Sequence, residues 1–356
     1  MLRLGQTLAL VFSALVMLPP AARAWDRGEV KTFAVLPAGS SGPEGLEVDA
    51  SGNVYATGFG FTATGAVSGE GQIWVYDRKG RLLRQLSVQG SSPHLLGLRF
   101  HPQTGALLVN DFGAGQVLSV NPHTGAASVF MTLPATLPHA GGPGLNDITF
   151  DSAGNVYVSD SFQGIVWTTS KSGGAATAWV DDALLRTTGV PPFGANGLRF
   201  NRNETALFVA NTGDDTVIRI PVVAGSAGTP AVFANGINGA DGLIIDDDDN
   251  LWVAANQADE IVVVDPSGKA IAKLGDFGGV KHGMAKDLLF PASLRFSGKH
   301  LIVTNLALDL RVFSPAYAAV DSEYAAQVSS YTISKLRARI PGTPGHDHDG
   351  DDHDDD

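Results

Sequence analysis

Between Gly142 and Asp160 the chain reads GPGLNDITFDSAGNVYVSD: an Asn-Asp pair heads a short alternating run, a Ser-Ala-Gly-Asn turn signal follows, and a second alternating run closes the stretch. Apolar residues at period two on either side of such a turn read as the two strands of a hairpin. The same pattern recurs as PEGLEVDASGNVYATG from Pro43, LGLRFHPQTGALLVND from Leu96, NGLRFNRNETALFVAN from Asn196, DGLIIDDDDNLWVAAN from Asp241 and ASLRFSGKHLIVTN from Ala292. The leading residues are Glu44, Leu96, Asn146, Asn196, Asp241 and Ala292, spaced by 52, 50, 50, 45 and 51 residues.

Each hairpin is followed by a third run (QIWVYD, QVLSVN, IVWTTS, TVIRIP, EIVVVD) and a fourth (RLLRQLSV, ASVFMTLP, ATAWVDDA, TPAVFANG, AIAKLGDF). Four short antiparallel strands in a unit of this length, repeated six times, predict an all-β, six-bladed β-propeller; a β-solenoid has shorter units. The sixth unit has a third strand only after a long insertion, at YTISKLRA from Tyr331, and no fourth before the chain turns polar. VKTFAVLP, Val30 to Pro37, fits the fourth-strand pattern, so an N-terminal strand is expected to complete the last blade and remove an exposed edge.

In a propeller the first strand of every blade lines the central channel, so equivalent leading residues converge. Two carboxylates and two carboxamides (Glu44, Asp241, Asn146, Asn196) meeting at one level of a channel need partners if buried. A hard cation supplies one: oxygen ligands without His or Cys suit calcium first, with magnesium and manganese next and zinc the poorer match. The competing reading is that these side chains only hydrogen-bond channel water or strand ends.

The ends of the chain differ from its body. MLRLGQTLALVFSALVMLPPAARA has a basic start, an apolar run and a small-residue finish at Ala22-Arg23-Ala24. It reads as a cleaved signal peptide over residues 1–24 that sends the mature chain to the periplasm or outside the cell; the run is too short to span a bilayer comfortably, and no stable membrane span is expected elsewhere. The propeller is expected over 25–340. The formal charge of -12 owes much to the last eleven residues, HDHDGDDHDDD, which hold seven Asp and no Lys or Arg. That stretch has no apolar residue to bury, so 341–356 is expected to be a disordered His/Asp-rich tail. The body has no basic face of the kind nucleic acid needs. With no cysteine, disulfides, thiolate metal sites and a cysteine nucleophile are excluded.

PEGLEVD, LNDITFD, ANGLRFN and ADGLIID, each at the start of a blade, resemble the family of gluconolactonase, senescence marker protein and luciferin-regenerating enzyme, and the resemblance runs from about Val30 to Leu336. The run Asn146-Asp147-Ile148 is also similar to the paraoxonases. The resemblance implies one divalent ion on the channel axis, with Glu44, Asn196 and Asp241 as ligands and Asn146 facing the substrate or an ion-bound water. It further implies metal-assisted hydrolysis of a lactone or ester, with Asp241 the first choice for general base and Glu44 the second. Many sugar-lactonase members carry an Arg two residues before the third-blade Asn; Gly144 stands there, so sugar specificity is not implied, and Leu96 and Ala292 add apolar surface to the ring that points to a less polar substrate or to none. His94 and His282 are further candidates for contacting substrate, the alternative for each being a hydrogen-bonding loop residue. Asp111, Asp160, Asn211, Asn256 and Asn305, after the second strands, read as turn-fixing residues. AYAAVDSEYAAQ, inside the sixth-blade insertion, is expected to form a short helix over one mouth. A monomer acting on a small molecule is the leading reading. The alternative is a non-catalytic, metal-stabilised propeller that binds a protein or glycan; a lyase or condensing enzyme is a third.

Overall fold

The computed structural model describes residues 26–319 and 321–340. The expected leader at 1–24 and tail at 341–356 lie outside the described residues. Three hairpin turns show how the sequence fixes local structure. Asp49, Asp151 and Asp246 each accept from the backbone N–H and the side-chain amide of the Asn four residues on (Asn53, Asn155, Asn250). Each also accepts from the aromatic residue two positions further, at Tyr55, Tyr157 and Trp252. A carboxylate that gathers the turn's donors and holds the next strand's aromatic ring pins both the turn and the register. The Asp246–Asp249 run is thereby a hairpin turn, as its composition suggested.

Six four- or five-stranded sheets, antiparallel except where Gly174–Ala175 runs parallel to Ala127–Thr132, are arranged as the blades of a propeller, and two small hairpins lie outside them. The innermost strands are Pro43–Val48, Leu95–Phe100, Leu145–Phe150, Ala195–Phe200, Ala240–Ile245 and Pro291–Ser297. Each packs beside the next, and the sixth beside the first, so the ring is a closed cycle. In the sheet of the sixth blade the order is Val30–Val35, Thr332–Arg337, His300–Asn305, Pro291–Ser297, with Val30 opposite Leu336 and Val35 opposite Thr332. Among the described residues no helix is long and apolar enough to cross a membrane.

The core lies between the blades. Alternate side chains of a strand enter different clusters: Val54 and Ala56 pack toward the sixth blade, whereas Tyr55 packs toward the second. Six such inter-blade cores surround the axis, and a seventh apolar cluster (Phe59, Leu96, Phe193, Phe290, Leu306, Leu308) closes one mouth. Strands buried on both faces need apolar residues at nearly every position, which is why second strands such as Val156–Asp160 are wholly buried.

Every innermost strand carries one extra residue against its partner, between Pro43 and Leu46 and at the five equivalent places. A bulge of this kind bends the strand and re-aims its side chains. The leading residues sit in these bulges. The residue after each is Gly in four blades, because a Cβ there would meet the neighbouring strand's backbone: 2.6 Å from Asp241 O at Gly197 and 2.5 Å from Ala292 O at Gly242. The x-Gly-Leu pattern thus records how closely successive inner strands approach.

Candidate active site at one mouth of the channel

The bulges bring Glu44, Leu96, Asn146, Asn196 and Asp241 to the wall of one small cavity of about 20 Å³. That is room for one water or one ion. Ala292, from the sixth blade, is buried in the apolar cluster with Leu96. All four polar leading residues are buried.

A second ring comes from the residue just past each second strand: Phe59, Phe112, Ser161, Thr212, Asn256 and Leu306, in register by the strand pairing; of these, Phe59, Thr212, Asn256 and Leu306 reach the cavity wall. Asn146 Nδ2 donates to Ser161 Oγ at 3.2 Å, Asn196 Nδ2 to Thr212 Oγ1 at 2.9 Å, and Asn256 Nδ2 to Asp241 Oδ2 at 2.9 Å. The third, fourth and fifth blades therefore give the ring its polar half, and the sixth, first and second its apolar half.

Asn256 corrects the sequence reading. It was grouped with Asp111, Asp160, Asn211 and Asn305, which do fix turns and strand ends through bonds such as Asp160 Oδ1 to Gly144 N and Asn211 Nδ2 to Leu184 O. Asn256 instead aligns with Ser161, since Ala240 pairs with Ala255 as Leu145 pairs with Asp160. One position along a strand reverses the side chain's direction. Counting from the turn Asn (Asn155, Asn250) would have revealed the offset.

Two carboxylate oxygens in this cavity, Glu44 Oε2 and Asp241 Oδ1, are buried without a hydrogen-bond partner. Burial holds the Glu44 carboxyl well above its ordinary range, reinforced by the charges of Asp241 and Asp147 and opposed by Arg295. Burial also pushes Asp241 up to about 7, against hydrogen bonds from Asn256 and Asn196 that pull it down. Two acids that resist ionising side by side, with carboxamides beside them, form a donor set that fits a hard cation. Among the described residues, no three His, Cys, Asp or Glu come together as a metal-holding group. The set depends on Asn oxygens.

Six phenylalanines cover the cavity. Phe59 packs edge-on against Phe61, Phe112 and Phe193, Phe162 stacks on Phe193, and Phe313 lies against Phe61 and Phe193. His94 belongs to this cover and does not line the cavity: its ring stacks on Phe61, and Nδ1 lies 2.7 Å from Phe59 O. His282 is exposed at the tip of the hairpin Phe277–Lys281/Met284–Asp287, with φ of 52°, and is likewise absent from the cavity wall. At Gly144 a Cβ would fall 2.9 Å from the Phe162 ring, so the aromatic cover occupies the space a longer side chain would need. The sixth-blade insertion contributes Leu306 and Leu308 to the wall and forms a short helix at Ser322–Ala325.

Residues 91–275 match the family described as SMP-30/Gluconolactonase/LRE-like region. The chain belongs to this family. Membership associates it with lactonase-type propeller enzymes. No curated protein sequence matches it. Among solved structures it is similar to a gluconolactonase from Xanthomonas campestris, with 14% identity over 88% of this chain and 90% of that one and a TM-score of 0.59. It is also similar to regucalcin, a calcium-binding protein from Agrobacterium tumefaciens str. C58, with 17% identity, 86% and 97% coverage and a TM-score of 0.58. Virginiamycin B lyase from Staphylococcus aureus shares the architecture at 13% identity, 87% and 100% coverage and a TM-score of 0.52. At these identities the structural likenesses speak to the fold.

Proposed function

We propose that the protein is a divalent-cation-dependent hydrolase of apolar esters or lactones. The observation that carries this reading is the pair of buried, unpartnered oxygens Glu44 Oε2 and Asp241 Oδ1 in a cavity sized for one small occupant. Glu44, Asn146, Asn196 and Asp241 would hold the ion, calcium first by the chemistry of the set. When bound, such an ion polarises a carbonyl oxygen and lowers the pKa of a water.

The chain's own groups supply the rest. Asp241 is the general base, with Oδ2 held by Asn256 and Oδ1 free to take the proton of the attacking water. As the water oxygen bonds to the carbonyl carbon and the ester C–O bond breaks, the same carboxyl returns its proton to the leaving oxygen. Glu44 is the second candidate for this role. The two-sided ring orients the substrate, carbonyl toward Asn146 and Asn196, apolar portion against Phe59, Phe193 and Leu306, whose bulk also excludes water. Phe162 beside Gly144 favours an apolar substrate over a sugar.

The reading includes export of a monomeric chain by cleavage after Ala24, a propeller over 25–340, and closure of the ring by the N-terminal strand, supported by the pairing of Val30–Val35 with Thr332–Arg337. The test joins metal analysis of the purified mature protein to an aryl-ester and lactone panel. Activity is expected with calcium or another divalent ion, lost on chelation, and lowered by roughly 10²–10⁴-fold in Asp241→Ala, the range for removing a general base. Activity that survives both treatments would discard the mechanism.

One observation favours a second reading, a non-catalytic propeller with a structural ion: the aromatic cover leaves no room for a substrate without side-chain movement. Tight ion binding with no turnover across the panel would select it.

A further inference from the structure

Three residues beyond each leading residue the six inner strands carry Glu47, Arg99, Thr149, Arg199, Ile244 and Arg295. The intervening bulge turns this second set toward the axis as well, about 10 Å further along at roughly 3.3 Å per residue. Arginine occupies alternate blades, the second, fourth and sixth. All three arginines line a single cavity of about 450 Å³, together with Thr149 and Ile244 and with Phe150 at its rim.

The charges in this cluster do not balance. Arg99 Nε pairs with Glu47 Oε2 at 2.7 Å and Arg199 Nη1 with Asp147 Oδ2 at 2.7 Å, while Arg295 Nε stands 3.7 Å from the same Glu47 oxygen. Three guanidiniums therefore share two carboxylates. Arg199 and Arg295 are 6% and 8% exposed. Arg99 Nη1, Arg199 Nη2 and Arg295 Nε are buried with no hydrogen-bond partner. At the lip, Arg202 is paired with Asp247, while Glu204, which accepts from Ser152 Oγ, keeps its charge at the cavity rim but makes no ion pair with the three guanidiniums. Burial, then the charge of Arg99, holds the Arg199 guanidinium well below its ordinary pKa, and Arg295 is lowered by the same two causes. Buried cations with open donors need an anion.

We propose that this mouth binds a tetrahedral oxyanion, phosphate or sulfate, free or as the head of a monoester. Alternate blades of a six-bladed ring stand roughly 120° apart, so three guanidiniums around the axis match the three-fold face of a tetrahedral anion better than the two oxygens of a carboxylate. Planar guanidinium donors suit such oxygens. The size and openness of the cavity leave space for an ester group directed outward. The inference stands apart from the cation reading, since it uses none of the residues around the first cavity.

The test is thermal unfolding and calorimetry of the mature protein at constant ionic strength. Sodium sulfate is the probe for cation-loaded protein and inorganic phosphate for cation-free protein, with chloride and acetate as references. Sulfate and phosphate should raise Tm with the logarithm of their concentration, as a ligand of the native state does, and acetate should not. Arg99→Gln should weaken binding at least about tenfold, the loss of a charge-assisted hydrogen bond, whereas Arg202→Gln at the lip should leave it unchanged. Phenyl phosphate binding more tightly than phosphate would identify a monoester as the ligand; equal or weaker binding would identify the free anion. If sulfate and phosphate stabilise no more than chloride, or if Arg99→Gln binds as the wild type does, the site is refuted. Calorimetric titration of the unmutated protein with sulfate and phosphate at low millimolar concentration, which registers a saturable site and not the general stabilisation these anions give any protein, decides the matter even if the variant does not fold.

Discussion

At Asp241 two demands meet on one carboxyl group: an ion needs it charged, and burial keeps it protonated up to about 7. The sign of the resulting pH dependence follows. A carboxyl raised above its unfolded value near 3.9 contributes stability that is complete below that value and is lost as pH climbs through the folded value. Cation-free protein should therefore lose Tm between pH 4 and about 7, and added calcium should restore more of it at pH 8 than at pH 5, because protons compete with the ion for Glu44 and Asp241. Melting curves across this range, with and without chelator, check it; a cation-free Tm that rises between pH 4 and 7 would contradict the account. The same ring shows what could be read beforehand. Spacing alone brought Glu44, Asn146, Asn196 and Asp241 to one level, because equivalent positions of a repeat must coincide in space. Thr212 went unseen and Asn256 was assigned to a turn, since a hydroxyl or amide at a strand end has the same composition whether it fixes a turn or faces a cavity, and only the strand register separates the two.

Among the elements, the sixth-blade insertion is tied down in a pH-sensitive way. Asp259, at the start of the third strand of the fifth blade, accepts from Phe290 N at 2.7 Å, and its carboxyl lies close enough to that of Asp321 in the insertion for the two charges to repel. Burial and then the charge of Asp321 raise Asp259 to about 8, and burial raises Asp321 to about 6. A proton shared between two acids holds them together, and its loss leaves two like charges in contact. Raised values mean that this tether is intact at low pH and released as pH rises through about 6 to 8. Hydrogen exchange of residues 306–330 should accelerate over that interval beyond the intrinsic rise, and Asp259→Asn should abolish the extra step. No extra step in the parent protein would dismiss the tether. The insertion was visible in the sequence as a break in the repeat, and so was its short helix. The Asp259–Asp321 contact was not, because nothing local marks two acids in different blades as neighbours. The bulges were equally hidden, each adding one residue without any change of composition apart from the Gly that follows in four of the six blades.

For the molecule as a whole, stability is spread over six inter-blade cores, so the ring holds only if the first and last blades meet. Deleting residues up to Val35 would strip Phe33 and Ala34 from the core shared by these blades and leave Thr332–Arg337 as an open edge. The truncated chain should melt well below the parent and self-associate through that edge, as calorimetry and size-exclusion chromatography would report. An unchanged Tm would mean that this strand contributes nothing to closure. The architecture itself was legible because six repeats of near-constant length admit few folds. The arginines of the opposite mouth stood in plain view in three Leu-Arg-Phe triplets, yet their convergence depends on the bulges that aim them.

Those extra residues on the inner strands have one more consequence. Because the bulged position stands outside the ladder, its side chain can be exchanged with little effect on the bonding of the blade behind it. Leu96, on the cavity wall, is thus a natural place for engineering: an acid installed there would convert the half-greasy collar into a more highly charged one and shift ion preference, at the cost of burying a charge beside Phe59 until the ion is bound.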